Sequence, residues 1–270
     1  MPSPGLAYDL HVHTRYSPDS TAELEAYASA GQQHGCHVGF LDHFELAFTD
    51  RPGYLREDRL PALLEEFDQV HSVHPNTSLS LEVDYYTELA AAVAEFCDQY
   101  HNDFDYLIGA IHTIDELAVT VPAEFSALVK RFGLLGTIKR YFDQVEAAIR
   151  ANLFEGIAHL DGVMRYATVY PNIRQAEAFW QVRTRELGHL CRQQGLLVEV
   201  NLGGLRQPWG RTHPTSEILD ELVAAGVHFY PASDSHNVVT FVEAVPLCRK
   251  MTDYLSGKGA LRLPGKLGSG

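Results

Sequence analysis

Two histidines one residue apart, His11 and His13, close an apolar run near the start of the chain, and Asp19 follows six residues after the second. Imidazoles at i and i+2 project to the same side of an extended strand, so a strand can offer both to one metal ion. The residue type then recurs in matching places. His43 follows a second apolar run in LDHFE, Glu82 lies near the end of a third in LSLEVD, His112 follows a fourth in IGAIHTID and His159 ends a fifth in GIAHLD. Asp234 and His236 repeat the two-residue spacing in ASDSH. A carboxylate with two oxygens can bridge a pair of ions about 3.5–4 Å apart, and Glu82 is the candidate for that task. Imidazole mixed with hard carboxylate suits Zn, Mn or Fe better than Ca or Mg. One histidine after a strand is ordinarily a polar loop residue, and H-x-H recurs by chance. Candidate ligands at the ends of successive apolar runs are not explained that way.

Such chemistry needs a fold that gathers distant positions. Short apolar runs read as strands over 6–13, 37–42, 79–84, 106–111, 154–159, 196–201 and 228–233. Longer amphipathic patterns between them read as helices over 21–34, 58–73, 87–101, 134–151, 174–194, 214–225 and 237–254. In the helix 174–194, Ala178, Val182, Arg185, Leu187 and Leu190 define the face expected to pack. Thr215 and Gly226 mark the start and stop of another. Strand and helix in alternation imply parallel strands with right-handed crossovers. The expected fold is α/β: a single-domain, distorted (β/α)7 barrel over 1–265, with 266–270 a Gly-rich tail outside it. An open doubly wound sheet is the alternative. In a barrel, the carboxyl ends of the strands open on one face, where active sites are built.

Composition narrows the function. The chain has 270 residues, 46% of them hydrophobic, which suffices for one large core. Its 21 Lys and Arg against 35 Asp and Glu leave a net charge of −14, with no basic run for nucleic-acid tracking. A small phosphorylated substrate stays open, because bound metals supply local positive charge. No leader or membrane-spanning pattern is evident, so a soluble, cytoplasmic protein is expected. Cys36, Cys97, Cys191 and Cys248 form no C-x-x-C pair and read as buried free thiols. His34, His37, His71, His74, His101, His189 and His228 fall in helices or strand starts and are set aside as ligands; His213, in a loop near the barrel mouth, is undecided.

Taken in order, H-x-H-T with its downstream Asp, D-H, E-V-D, the mid-chain His112, G-x-A-H-x-D and S-D-S-H resemble the PHP (polymerase and histidinol phosphatase) family. The resemblance implies a distorted (β/α)7 barrel with three divalent ions, Zn, Mn or Fe. By motif, His11, His13, Glu82 and Asp234 would hold the first. Glu82, His112 and His159 would hold the second, and Asp19, His43 and His236 the third. HLDGVMRY (159–166) and EVNLGGLRQPWGRTHPTSEIL (199–219) resemble the histidinol-phosphate phosphatase branch, in which arginines matching Arg165 and Arg206 engage phosphate. The loop 210–213 departs from that branch, which leaves recognition of the leaving group open, with His213 a candidate.

The implied activity is metal-dependent hydrolysis of L-histidinol phosphate to L-histidinol and phosphate, a step of histidine biosynthesis, by a metal-activated hydroxide attacking phosphorus. Asp161 is a candidate acid for the leaving group, or a support for a ligand histidine. Glu45 and Asp115 are candidates for a carboxylate facing a substrate amine. A nucleotide phosphodiesterase or nuclease of the same family is the rival reading, and a non-catalytic metal-stabilised domain is a third. Metal identity and oligomeric state are left open by the sequence.

Overall fold

The computed structural model describes residues 5–47 and 54–269. Its strands run β1 Ala7–Val12, β2 Cys36–Phe44, β3 Thr77–Asp84, β4 Tyr106–Ala110, a two-strand hairpin of β5 Thr113–Ile114 and β6 Leu117–Ala118, then β7 Gly156–Ile157, β8 Leu197–Asn201 and β9 Phe229–Ala232. The helices are α1 Leu24–His34, α2 Leu60–Val73, α3 Ala90–Tyr100, α4 Pro122–Ala151, α5 Met164–Ala167, α6 Ile173–Gln194, α7 Ser216–Ala224 and α8 Val238–Gly257. Seven strands form one sheet in the order β1-β2-β3-β4-β7-β8-β9, every pair parallel. β9 returns to β1: Asp234 N–H donates to His11 O (2.9 Å) and His13 N–H to Ser235 O (2.9 Å). Those bonds close the sheet, so the barrel stands and the open sheet falls.

Alternation sorts the side chains. Leu79, Leu81 and Val83 of β3 face the helix layer, as do Val198 and Val200 of β8, within one continuous apolar cluster. Leu41, Tyr106, Ile108, Leu197 and Tyr230 fill the barrel interior. β1 breaks the pattern. Its register with β2 slips between Asp9 and Val12, a bulge, so that Leu10 and His11 both turn inward. The Tyr106 hydroxyl crosses the interior to donate to Leu10 O at 3.0 Å, satisfying a carbonyl that the bulge takes out of the ladder.

Gly39 of β2 makes that crossing possible. A Cβ there would overlap the Tyr106 hydroxyl and lie 2.8 Å from Leu10 Cα. Gly39→Ala should therefore cost about 2–3 kcal/mol, as overpacking against backbone does, and lower the melting temperature by roughly 5–10 °C. Thermal unfolding checks it, and an unchanged midpoint would mean that the bulge yields freely.

Three expectations need correction. Of the expected tail, the described residues pack on the barrel: Gly265–Ser269 forms a 3₁₀ turn, Lys266 N–H donates to Asp105 O (2.9 Å), and Leu267 joins Leu6 and Leu263 against the barrel interior; Gly270 lies outside the described residues. The buried face of α6 is Ala176, Trp180, Thr184, Leu187 and Cys191, rotated from the expected one, and Val182 is exposed. The helix expected over 134–151 is the second half of α4, which begins at Pro122 and is interrupted at Gly133 (φ 70°, ψ 160°). The four cysteines are free and buried. Among the described residues, no helix is long and apolar enough to cross a membrane.

Candidate metal centre

β3 carries Glu82 into the centre of the barrel mouth, with a side chain of 0% exposure. Its Oε1 lies 2.8 Å from His159 Nε2 and 3.3 Å from His112 Nε2, which are themselves 3.3 Å apart. Its Oε2 lies 2.8 Å from His43 Nδ1, 3.5 Å from His11 Nε2 and 3.8 Å from His13 Nε2. His13 Nε2 is in turn 3.2 Å from Asp234 Oδ1. On the outer side, Asp19 Oδ2 sits 3.0 Å from His236 Nε2 and 3.8 Å from His43 Nε2. All nine sequence candidates for metal binding thus meet in one cluster.

The tautomers are fixed from behind. His11 Nδ1 faces Glu199 Oε2 at 2.9 Å, and His112 Nδ1 faces Asp84 Oδ1 at 2.7 Å, so both Nδ1 atoms carry the proton. His13 Nδ1 donates to Ser17 Oγ (3.1 Å), whose own proton goes to Asp42 (2.7 Å). With Nδ1 engaged behind, each Nε2 is the atom that would face a metal ion, and those of His11 and His13 face each other at 2.9 Å. Two facing lone pairs repel unless a cation lies between them. The contact of Glu82 Oε2 with His43 Nδ1 likewise lacks hydrogen-bond geometry, and both atoms are buried without a partner.

Ligand atoms about 2.0–2.1 Å from a tetrahedral ion are about 3.3 Å from one another, close to the spacings of this cluster. Three groups of donors lie within 4.8 Å of one another: His11, His13 and Asp234; His43, Glu82 and His112; and His13, Asp19, His43 and His236. The donor set fits divalent metal. Burial opposes ionisation of Glu82, but His112, His11 and His43 outweigh it and hold the carboxyl well below its ordinary range. Asp234 is held down in the same way, chiefly by its contact with His13. Backbone strain marks two of these positions: His159 (φ 25°) and Asp234 (φ 54°) adopt left-handed conformations, which cost of order 1–3 kcal/mol each outside glycine.

Metal affinity should depend on the groups behind the ligands. Asp84→Asn removes the charge that orients His112 and is expected to weaken metal binding about 10- to 100-fold. Titration with a competing chelator measures this, and an unchanged affinity would remove Asp84 from the supporting shell.

The cluster floors a cleft of about 300 Å³. One wall is Ile111, Thr113 and the segment Ala118, Val119, Thr120 and Val121, supplied by the β5–β6 hairpin and the start of α4. Sequence reasoning missed this wall: two-residue strands carry no periodicity, and the hairpin turn Asp115–Glu116 uses positive φ without glycine. Asn201, which donates to Glu199 Oε1 (2.6 Å) and to Asp234 Oδ2 (3.3 Å), was also missed, though it stands in the quoted E-V-N.

The remaining candidates divide. Arg165, on α5, borders the cleft and has no ion pair or side-chain hydrogen bond among the described residues. Arg206 does not border it; its Nη2 donates to Ser233 O (2.7 Å) and Asp234 O (3.1 Å). Asp161 is fully buried and does not border the cleft; its carboxylate accepts from Trp180 and faces His213, with no hydrogen bond to His159 among the described residues. His213 does border the cleft. Glu45 is buried beneath Tyr86 (2.6 Å), and Asp115 pairs with Arg131 (3.5 Å) at the hairpin tip; neither borders the cleft. Among the histidines set aside, His37 bonds Ser78, His71 bonds Thr77, and His74 bridges Gln32 and Glu25.

A family model for the PHP domain matches residues 9–202, most of the chain and every strand from β1 to β8. The chain belongs to the PHP domain family. Among PHP relatives, a Deinococcus radiodurans protein named probable histidinol-phosphatase is 26% identical over 84% of this chain and 85% of its own. Two solved structures, each 16% identical, share the fold. One, from Listeria monocytogenes and described as a candidate histidinol phosphatase, covers 86% of this chain and 96% of its own with a TM-score of 0.79. The other is a histidinol phosphate phosphatase from Lactococcus lactis complexed with zinc, L-histidinol and phosphate; it covers 91% and 93% with a TM-score of 0.71. The PHP barrel expected from sequence is the fold observed.

Proposed function

We propose that this PHP protein hydrolyses L-histidinol phosphate to L-histidinol and phosphate, using three divalent ions held by the nine clustered side chains. The observation that carries the reading is the convergence of tautomer-locked imidazoles on the two oxygens of Glu82, beside an unpaired arginine in a small cleft. The name of the Deinococcus relative and the ligands of the Lactococcus structure support the choice of substrate. His11, His13 and Asp234 would hold one ion together with Glu82, His112 and His159 would share Glu82 around a second, and Asp19, His43 and His236 would hold a third. Bound metal supplies Lewis acidity, which lowers the pKa of water toward 7 and neutralises phosphate oxygens.

The chain's own residues do the rest. Glu199, Asp84 and Ser17 keep three imidazoles in the tautomer that presents Nε2 inward. Arg165 offers a planar fork that matches two phosphate oxygens at a fixed position over the cluster. Arg206 ties down the backbone of Ser233 and Asp234, keeping Asp234 in its strained conformation. The apolar hairpin wall excludes water from one side of the ester.

A phosphate-release assay on metal-loaded and chelated protein tests the reading, with L-histidinol phosphate beside a phosphodiester. Preference for the monoester, lost on chelation and restored by metal, is expected. Chelator-sensitive release from the diester alone would replace it with the phosphodiesterase reading, and a protein inert toward both would discard catalysis on phosphate esters.

A further inference from the structure

Metal binding does not account for the buried pair Asp161–His213. His213 is pinned by its backbone to the end of β8, exchanging hydrogen bonds with Asn201 (2.8 and 3.0 Å). Its ring lies nearly parallel to that of Trp209, at 14° and 6.0 Å. Gly204 lies under the ring, where a Cβ would come within 2.8 Å of Cδ2 and 2.9 Å of Nε2. The side chain is 3% exposed, and Nδ1 is 2.7 Å from Asp161 Oδ1. The other oxygen of Asp161 accepts from Trp180 Nε1 at 2.9 Å. A carboxylate accepting two N–H bonds leaves the Nδ1 proton on His213, so Nε2 is the atom free to act. Nε2 has no partner among the described residues, His213 belongs to none of the three donor groups, and it borders the cleft with Arg165, Asn201 and Asp234.

We propose that His213 donates a proton to the leaving oxygen of the phosphate ester, with Asp161 and Trp180 as positioning residues; this rests on the phosphomonoesterase reading above. As the oxygen of water bonds to phosphorus, the bond from phosphorus to the ester oxygen breaks and its electron pair stays on that oxygen. His213 Nε2–H protonates it, releasing the alcohol. The ring recovers a proton given up by the attacking water, so one water is consumed and the products are the alcohol and hydrogen phosphate. The Asp161 carboxylate behind the ring holds it in one orientation through the transfer.

Leaving-group dependence tests the role. An alkoxide such as that of L-histidinol needs the proton; p-nitrophenolate does not. His213→Asn should lower kcat for L-histidinol phosphate about 10²- to 10³-fold, and for p-nitrophenyl phosphate by no more than about 5-fold. Asp161→Asn should show the same selectivity to a smaller degree, and metal content, measured on each protein, should match wild type. Equal losses on both substrates would overturn the proposal in favour of phosphate binding or structure, and unchanged kcat on both would overturn it outright. If His213→Asn does not fold, His213→Gln keeps the same readout. Wild-type protein inert on both substrates would instead fail the phosphomonoesterase reading and say nothing in favour of the dyad.

Discussion

Glu82→Ala is expected to lower phosphate release from L-histidinol phosphate by at least about 10³-fold and to leave the protein with little bound metal. Several kcal/mol of charge stabilisation depend on the ions, and each 1.36 kcal/mol is tenfold in rate. Glu82 lies within 4 Å of five clustered imidazoles, those of His11, His13, His43, His112 and His159. Its removal unlinks donors that otherwise share its two oxygens. The barrel should survive, because Leu81 and Val83 on either side pack outward into the main apolar layer and are untouched. The thermal signature separates the two effects. Wild-type protein gains about 3 kcal/mol from metal at a hundredfold excess over Kd, so chelation should lower its melting temperature by roughly 5–10 °C. The variant should show almost no response to chelator. Elemental analysis together with unfolding curves checks both, and a variant with wild-type metal content would sink the central role given to Glu82.

Arg165→Ala should lower kcat/KM about 10²- to 10³-fold while metal content stays at the wild-type level, the loss typical of one donor aimed at developing charge. The backbone that carries Arg165 is a short, tightly bonded segment: Gly162 N–H donates to His159 O (2.6 Å) and Arg165 N–H to Gly162 O (3.0 Å). With no carboxylate among the described residues to share it, its whole fork is available to a phosphate dianion. Arg206→Ala provides the contrast. That side chain holds the carbonyls of Ser233 and Asp234, so its loss should act through Asp234 and appear first as weaker metal binding. Steady-state kinetics on both variants, with metal restored to saturation, distinguishes the two. Recovery of Arg165→Ala by added metal would show that it, too, acts through the ligands.

Much of the centre was legible before any coordinates. Apart from Asp19, each candidate ligand stands at or just beyond the carboxyl end of a parallel strand, and apolar runs of strand length mark those ends directly. Glu82 is the candidate bridge because, of the nine, it alone offers two carboxylate oxygens from within a strand. The motif order implied a grouping of these side chains, of which His11, His13 and Asp234 recur as a close donor set, while His159 belongs to none of the three donor groups. What local pattern carried poorly was the role of the polar residues around them. Asp161 read as an acid because it lies two residues from His159, yet its partners are Trp180 and His213, 19 and 52 positions away. Arg206 is a phosphate-ligand candidate by motif, and local pattern carried no sign that its Nη2 donates to Ser233 O, 27 positions on.

The sequence by itself pointed to the α/β alternation and to a barrel over an open sheet, and its motif order to the nine side chains, because strand period and the ends of apolar runs are local properties; closure was decided by the bonds between β9 and β1. Tertiary structure alone decided the rest. The bulge that aims His11 inward depends on Gly39 and Tyr106 across the barrel. The buried face of α6 turns on Trp180 reaching Asp161, a polar contact that apolar periodicity does not register. The hairpin wall depends on strands too short to show a period. Each of these is set by distant residues meeting, and the free energy that selects them lies in those contacts rather than in the pattern of any one segment.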